Sequence, residues 1–562
     1  MSLAPRAAAT RTKDMKLLFL LTQSSRTLLM GALITSVLGG LGGTWLVAAI
    51  HQGLAASQAE LPRLGLQFAG ASVAVLLLRW ASRSLFVLLS QATTERLRRH
   101  ISANVAEAPY REVEALGAPR LLAILTEDVA TVAEFFVILP RLVLQGAVVI
   151  GCLGYLTMLS WRAFLIALIG VLLGSCGRYL GTRRASEHLR RARRAEDDLY
   201  ASFRGLFAGA KELKLHAERR RAFVGDVLGA DVERVTYERT RGDELHQAAV
   251  HWGVLLFYAM IGGVLFLPAS LLGADPTLRS GYALMFLYMM LPVHSLLEAI
   301  PDISRTRVAL ERIAEAGLSG EPRAPVVPPG PEPIRTLRLS QVTHSYRRDN
   351  QDGVFLLGPL SMDLRPGEVV FLVGGNGSGK TTLAKLLVGL YAPETGDVLL
   401  NGERVESASS EAYRQHFATV FTDFHLFDGL HGAPARELAG AQQLLAALGL
   451  AHKVRIEAGT FSTTQLSTGQ RKRLALLVAL LEDRPAYVFD EWAADQDPEY
   501  KEVFYLQVLP ELRRRGKLVL VISHDDRYYH LGDRCLELKE GKLRTREAPS
   551  RPSQPRWEGA LA

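Results

Sequence analysis

Val369-Val370-Phe371-Leu372-Val373-Gly374-Gly375-Asn376-Gly377-Ser378-Gly379-Lys380-Thr381-Thr382 is the stretch that decides how the C-terminal part of this chain folds. Its five leading apolar residues predict a buried strand, and Gly374–Thr381 fits G-x-x-x-x-G-K-[ST], the phosphate-binding loop. Glycines let the chain turn tightly and leave backbone N–H groups free. With the N-terminus of the next helix, those groups surround the β- and γ-phosphates of a nucleotide. Lys380 adds a point charge, and the Thr381 hydroxyl is a ligand type for Mg²⁺. The apolar run Leu383–Leu390 predicts the helix that closes the motif.

Further along, Ala486-Tyr487-Val488-Phe489-Asp490-Glu491 is an apolar strand ending in two acids. The first is placed to hold Mg²⁺ through water, the second to orient or deprotonate an attacking water. Between the loop and that strand lies Leu466-Ser467-Thr468-Gly469-Gln470, ahead of the basic run Arg471-Lys472-Arg473. A serine side chain and a glycine backbone at a helix N-terminus make an anion site. Beyond the acids, the strand Leu518–Ile522 ends in Ser523-His524, where an imidazole can reach a γ-phosphate. Before the loop, Ile334–Tyr346 alternates as a strand does, and Tyr346 is a candidate platform for stacking adenine.

The rest of the 562-residue chain has a different composition. Its length suggests about three or four domain-sized units, and residues 1–300 hold long apolar runs. Six spans are predicted, over 28–50, 65–90, 133–158, 162–181, 247–268 and 279–300, each near the ~20 residues that cross hydrocarbon. Ser160-Trp161-Arg162 is expected to form the tight hairpin between the third and fourth. The net charge of +8 does not indicate nucleic acid, because the excess Arg lies between the apolar runs and reports membrane topology. Arg96, Arg98, Arg99, Arg111 and Arg120 follow the second span, and Arg183, Arg184, Arg190, Arg191, Lys211 and Lys214 follow the fourth. Basic loops stay inside, so both termini are expected in the cytoplasm. Leu28–Ile50 is too long for a cleavable signal and reads as a membrane helix. Met15, where apolar character begins, is an alternative start. Cys152, Cys176 and Cys535 have no metal-ligand spacing and read as thiols of a reducing compartment.

These patterns set the domain boundaries: a disordered terminus (1–14), a six-helix membrane domain with long helical extensions (15–316), a Pro/Gly-rich linker (317–333), a nucleotide domain (334–545) and a disordered tail (546–562). Glu95–Val105 and Ala185–Leu206 are rich in helix formers and extend their spans beyond the membrane. Tyr110–Gly117 and Asp198–Leu206 are expected as short helical pieces that dock on the nucleotide domain. Polar residues inside spans each need a reason. Arg83 can snorkel to the interface. Arg79, about 22 Å along its helix, is a candidate for the substrate cavity or for an ion pair. His294 and Glu298, four apart on one face, are further cavity candidates. The series Tyr282, Met285, Phe286, Met289 reads as packing ahead of pocket.

Taken together, GGNGSGKT, LSTGQ, AYVFDE and SHDD resemble the ATP-binding cassette, and with six preceding spans the whole chain resembles an ABC exporter half-transporter. That resemblance implies an α-helical six-span membrane domain followed by an α/β P-loop cassette, with ATP and Mg²⁺ as ligands. It implies two copies paired head to tail, each ATP between Gly374–Thr382 of one chain and Ser467–Gln470 of the other. In that scheme Glu491 is the catalytic base, Lys380 and His524 contact the γ-phosphate, Thr381 and Asp490 serve Mg²⁺, and Asp497 closes the D-loop. Two departures stand out. Thr422-Asp423 occupies the place of the usual Gln, so either can supply the missing oxygen ligand, and Trp492-Ala493-Ala494-Asp495-Gln496 replaces the usual run after the second acid. VFTDFHLFD and DEWAADQDP are similar to the cyclic-peptide exporter family, which includes pyoverdine-type siderophore-precursor transporters of bacterial inner membranes. The expectation is an ATP-driven exporter of a peptide-like molecule, embedded in membrane lipid, with no nucleic acid partner. A lipid or multidrug exporter shares every cassette residue. The six spans argue against a soluble ABC ATPase, the intact Lys380, Ser467, Glu491 and His524 against a channel-like protein, and the fusion of spans to a cassette against an importer.

Overall fold

A computed structural model describes residues 26–266, 276–317, 331–347, 354–406, 410–431 and 440–546. The expectations for residues 1–14, Met15, most of the linker and the tail lie outside the described residues. The chain divides into two compact units, and Ala108–Ala115 groups with the C-terminal one.

The first unit is helical: α1 (Arg26–Ala55), α2 (Leu61–Glu107), α4 (Ala118–Leu159), α5 (Trp161–Ala208), α6 (Ala217–Phe266), α7 (Pro276–Glu298) and α8 (Ile300–Glu315), whereas the short α3 (Tyr110–Leu116), between α2 and α4 in the chain, groups all but its last residue with the second unit. Among the described residues six helices are long and apolar enough to cross a membrane, as expected. A helix bonds its own backbone, which is what a bilayer demands of any spanning segment. Ser160 alone makes the hairpin between α4 and α5. Its backbone is extended, and its side chain accepts from Arg162 N.

Side chains that would separate helices are missing where they meet. A Cβ at Gly177 would lie 2.1 Å from Trp252 Nε1, and one at Gly181 would lie 2.5 Å from the Cβ of Ala249. The backbones of α5 and α6 therefore approach closely, the common solution where helices cannot be driven together by water. Tyr282, Met285, Phe286 and Met289 are all buried in the core of this unit. They are packing.

One expectation fails. Asp198–Leu206 is not a separate piece; α5 runs unbroken to Ala208, is capped at Gly209, and only then gives way to a short helix, Ala210–Leu215. Gly205 costs a helix only about 1 kcal/mol, and the Phe223 ring packs over it.

The second unit is α/β. Its main sheet has strand order β12-β11-β3-β10-β9-β6, with β3 (Val369–Val373), β6 (Phe417–Val420), β9 (Ala486–Asp490), β10 (Leu518–Ile522), β11 (Arg534–Lys539) and β12 (Lys542–Arg546). A second sheet has the order β2-β1-β4-β5, built from β1 (Leu337–Arg347), β2 (Val354–Leu364), β4 (Thr395–Leu400) and β5 (Glu403–Arg404), and β7 (Ile456–Glu457) pairs with β8 (Thr460–Phe461) in a small antiparallel hairpin. Every residue of β3, β9 and β10 is buried. That is why these strands read as unbroken apolar runs rather than alternating ones. They are parallel neighbours, β3 beside β10 and β10 beside β9. Their carboxyl ends thus share one edge, where ligands bind in open α/β sheets.

Candidate active site

At that edge β3 delivers the loop, β9 the two acids and β10 Ser523-His524. The loop turns on glycines at φ of 74° (Gly377) and 101° (Gly379), values that side chains resist. A Cβ at Gly374 would sit 2.3 Å from the carbonyl of Leu538. Helix α9 (Lys380–Leu387) starts at once. The Lys380 Nζ donates to the carbonyls of Gly374 (2.9 Å) and Gly375 (3.1 Å). Burial pushes its pKa down, against the nearby charges of Glu491 and Asp490. The Ser378 hydroxyl is buried without a protein partner among the described residues.

Thr381 Oγ1 donates to Asp490 Oδ2 at 2.8 Å. Thr422 Oγ1 donates to the Asp490 carbonyl at 3.2 Å, so of the two candidates beyond β6 it is Thr422 that reaches the strand carrying the acid. Asp423 is exposed. Asp490 is 1% exposed, its Oδ1 has no hydrogen-bond partner among the described residues, and burial raises its pKa. A hydroxyl, a second hydroxyl and a carboxylate with an unused oxygen are the hard donors that Mg²⁺ selects. The residues fit the ion.

Glu491 is held by its backbone. Its φ is 50°, its N–H donates to Ile522 O at 3.0 Å, and its carbonyl accepts from Lys472 Nζ at 3.1 Å. Its Oε1 lies 3.1 Å from His524 Nε2. Lys472, 3% exposed and 2.6 Å from Asp495 Oδ2, is the residue that sequence reading missed. It lies in a run that reads only as a basic helix. Trp492, one of the unusual residues after the acids, is buried and donates from Nε1 to the Lys472 carbonyl at 2.8 Å. The departure from the usual run thus fixes the lysine that fixes Glu491.

Ser467 caps helix α10 (Thr468–Leu481) in a reciprocal pair with Gln470: each side chain bonds the other's backbone. Gly469 lies against Gln496, whose Nε2 donates to its carbonyl at 3.1 Å. Asp497 is exposed at the start of a short helix. Tyr346 is half-buried on β1, its ring 5.2 Å from that of Phe355 on β2. Phe355 in turn reaches within 3.4 Å of where a Cβ on Gly379 would be.

Elsewhere in this unit, Tyr110, Arg111 and Glu114 surround Lys385 on α9 and Tyr391. Lys385 Nζ bonds Glu114 Oε1 at 2.8 Å, Tyr391 donates to the other Glu114 oxygen, and Arg111 lies 3.6 Å from Glu394. Burial alone would raise the Glu114 pKa; the bonds from Lys385 and Tyr391 outweigh it and bring it below the usual range.

In the helical unit, Arg79 Nη2 reaches the Tyr288 hydroxyl at 3.4 Å across Gly43, with no acidic partner among the described residues. His294 and Glu298 are joined through Nε2 and Oε1 at 3.0 Å. None of the three cysteines forms a disulfide.

Residues 22–218 match the family described as ABC transporter transmembrane region, and residues 357–494 match ABC transporter. The chain is 35% identical to "ATP-binding protein SyrD" of Pseudomonas syringae pv. syringae, over 93% of this chain and 94% of that protein. It is 26% identical to an "ATP-dependent lipid A-core flippase" of Chromobacterium violaceum, over 81% of this chain and 80% of the relative. A flippase of the same description from Burkholderia thailandensis is 28% identical over 72% and 70%.

Proposed function

This chain belongs to the ABC transporter family as an exporter half-transporter that couples ATP hydrolysis to transport, and from that premise we propose that it exports a peptide-like cargo, a cyclic peptide or siderophore precursor, across the bacterial inner membrane as a homodimer. The observation that carries the hydrolytic part is the convergence of Lys380, Thr381, Asp490, Glu491 and His524 at the ends of three adjacent parallel strands. The loop backbone and Lys380 hold the β- and γ-phosphates. Glu491 takes a proton from water as its oxygen bonds to the γ-phosphorus and the bond to the bridging oxygen breaks, giving ADP and phosphate. His524, in reach of Glu491, keeps that carboxylate aimed. Thr381, Asp490 and Thr422 would hold Mg²⁺, which when bound offsets phosphate charge. Tyr346 would stack on adenine.

The second copy completes each site with its Ser467–Gln470 helix terminus and Asp497. Closure of two such sites and reopening after hydrolysis would expose the cavity to each side of the membrane in turn. The cluster of Tyr110, Arg111 and Glu114 on Lys385, Tyr391 and Glu394 supports a role for this segment in carrying the motion. With both termini cytoplasmic, the cassettes meet the cellular ATP pool.

The peptide reading rests on VFTDFHLFD and DEWAADQDP, whose unusual members Thr422 and Trp492 bond to the catalytic strand and to Lys472. The likeness to lipid A-core flippases favours lipid as the rival cargo. Deleting the protein and comparing cytoplasmic with exported metabolites by mass spectrometry decides between them. A peptide retained inside supports export of peptide; retained lipid, or no change, sinks it.

A further inference from the structure

Helices α5, α6 and α7 line a partly open cavity whose wall is apolar, formed by Val171, Phe257, Met290, Val293 and Leu297 among others. One cation is set into that wall. Arg178, 5% exposed, donates from Nη1 to His294 Nδ1 at 2.7 Å. Guanidinium nitrogens do not accept, so Nδ1 carries the lone pair and the imidazole proton sits on Nε2, facing Glu298 Oε1 at 3.0 Å. The three residues form a directed relay: cation, neutral ring, carboxylate. Among the described residues His294 is the one hydrogen-bond partner of Arg178. A guanidinium has five N–H donors, and a buried charge with unused donors is costly until an acceptor meets them.

We propose that this cavity is a cargo subsite in which Arg178 receives a carboxylate of the cargo, while the apolar walls take the side chains that flank it. The proposal rests on the peptide-export reading and names the chemistry that reading leaves open. A carboxylate matches the planar fork of arginine and brings one charge to one cation. A doubly charged phosphate would face Glu298 with no second cation in the relay. The relay also explains how the buried charge is tolerated without cargo: Glu298 balances Arg178 through the ring between them.

The test uses the full chain in proteoliposomes and two probes, a cyclic hexapeptide of Leu and Phe with one Asp, and the same ring with Asn at that place. The readout is the concentration that half-stimulates ATP hydrolysis. The wild type should need about tenfold less of the Asp ring, equivalent to about 1.4 kcal/mol. Arg178→Gln should bring the two rings to within about twofold, and Arg178→Lys should keep a weaker preference, because charge survives and the fork does not. Equal values in the wild type, or a preference that survives Arg178→Gln, overturn the subsite and leave peptide export standing. Stimulation by neither ring overturns the subsite together with that reading, and stimulation by lipid A alone assigns the cargo to lipid. The wild-type ratio and the lysine variant keep the test decisive if Arg178→Gln does not fold.

Discussion

Lys380 and Arg178 are buried to nearly the same degree, 6% and 5% exposed, but they are held in opposite ways. Lys380 bonds two carbonyls of its own loop. Arg178 bonds a single histidine on another helix, and that histidine leans on a glutamate a turn further along. The first arrangement is set by local backbone, and the sheet beneath it leaves little freedom. The second depends on how two helices are rotated and how closely they pack. Catalytic chemistry common to a family is thus built where local chain geometry dictates position. Recognition of cargo is built where side-chain packing does, and there it can change without disturbing the motor.

Substitutions can break this contrast. The largest effect is expected from Glu491→Gln: ATP turnover measured as phosphate release should fall about 10²-fold or more, the scale of general-base loss, with nucleotide binding retained. Steady turnover near the wild-type rate would remove Glu491 as the base. Next is Lys472→Met, which frees the Glu491 carbonyl and strands Asp495 in solvent. Here kcat should drop about tenfold, since a misplaced base loses part of its contribution, while KM for ATP stays near its wild-type value. An unchanged kcat would mean that the Lys472 bond is not needed to position Glu491.

Gly177→Leu tests the packing side of the contrast. The new side chain meets Trp252, and overpacking costs about 1–3 kcal/mol. The melting temperature of the purified protein should fall, with ATP affinity intact; loss of ATP binding would show that the motor is not independent of the helical packing.

The smallest effect is expected from Glu114→Gln. The folded-state pKa of Glu114 is lowered, so its ionised form contributes stability that is present above the free-chain value. That contribution is lost as pH falls through the lowered folded value. Deuterium exchange over Tyr110–Leu116 at pH 7 should quicken a few-fold in the variant, about 0.5–1 kcal/mol for a pair whose carboxylate is partly exposed. Between pH 7 and about 5 the wild type should be flat, with protection falling below about 4. A wild type and a variant that exchange alike at neutral pH would show that the carboxylate does not hold the segment.

The same contrast explains what could be read from residues alone. Strands β3, β9 and β10 were legible because full burial makes them apolar throughout, and the loop because phosphate contact restricts its glycines. Thr422 could be narrowed only to one of two neighbours, because which of them reaches Asp490 depends on the exit of β6. Lys472 was hidden in Arg471-Lys472-Arg473, where burial of the middle residue has no signature in composition. Arg178 lies near the expected end of the fourth span, at 181, a position where a basic residue passes for an interfacial one. The helix continues to Ala208, as the helix formers of Ala185–Leu206 predict. Gly205 suggested a break that the packing of Phe223 removes.

The lengths of α2 and α5 have a mechanical consequence. At 47 and 48 residues each is about 70 Å long, against about 30 Å of hydrocarbon. Some 40 Å of unbroken rod is left to act as a lever arm, and a tilt of one degree at its pivot moves the far end by about 0.7 Å. Rods of this length give leverage: a displacement the size of a bond at one end corresponds to a rotation of a degree or two at the other.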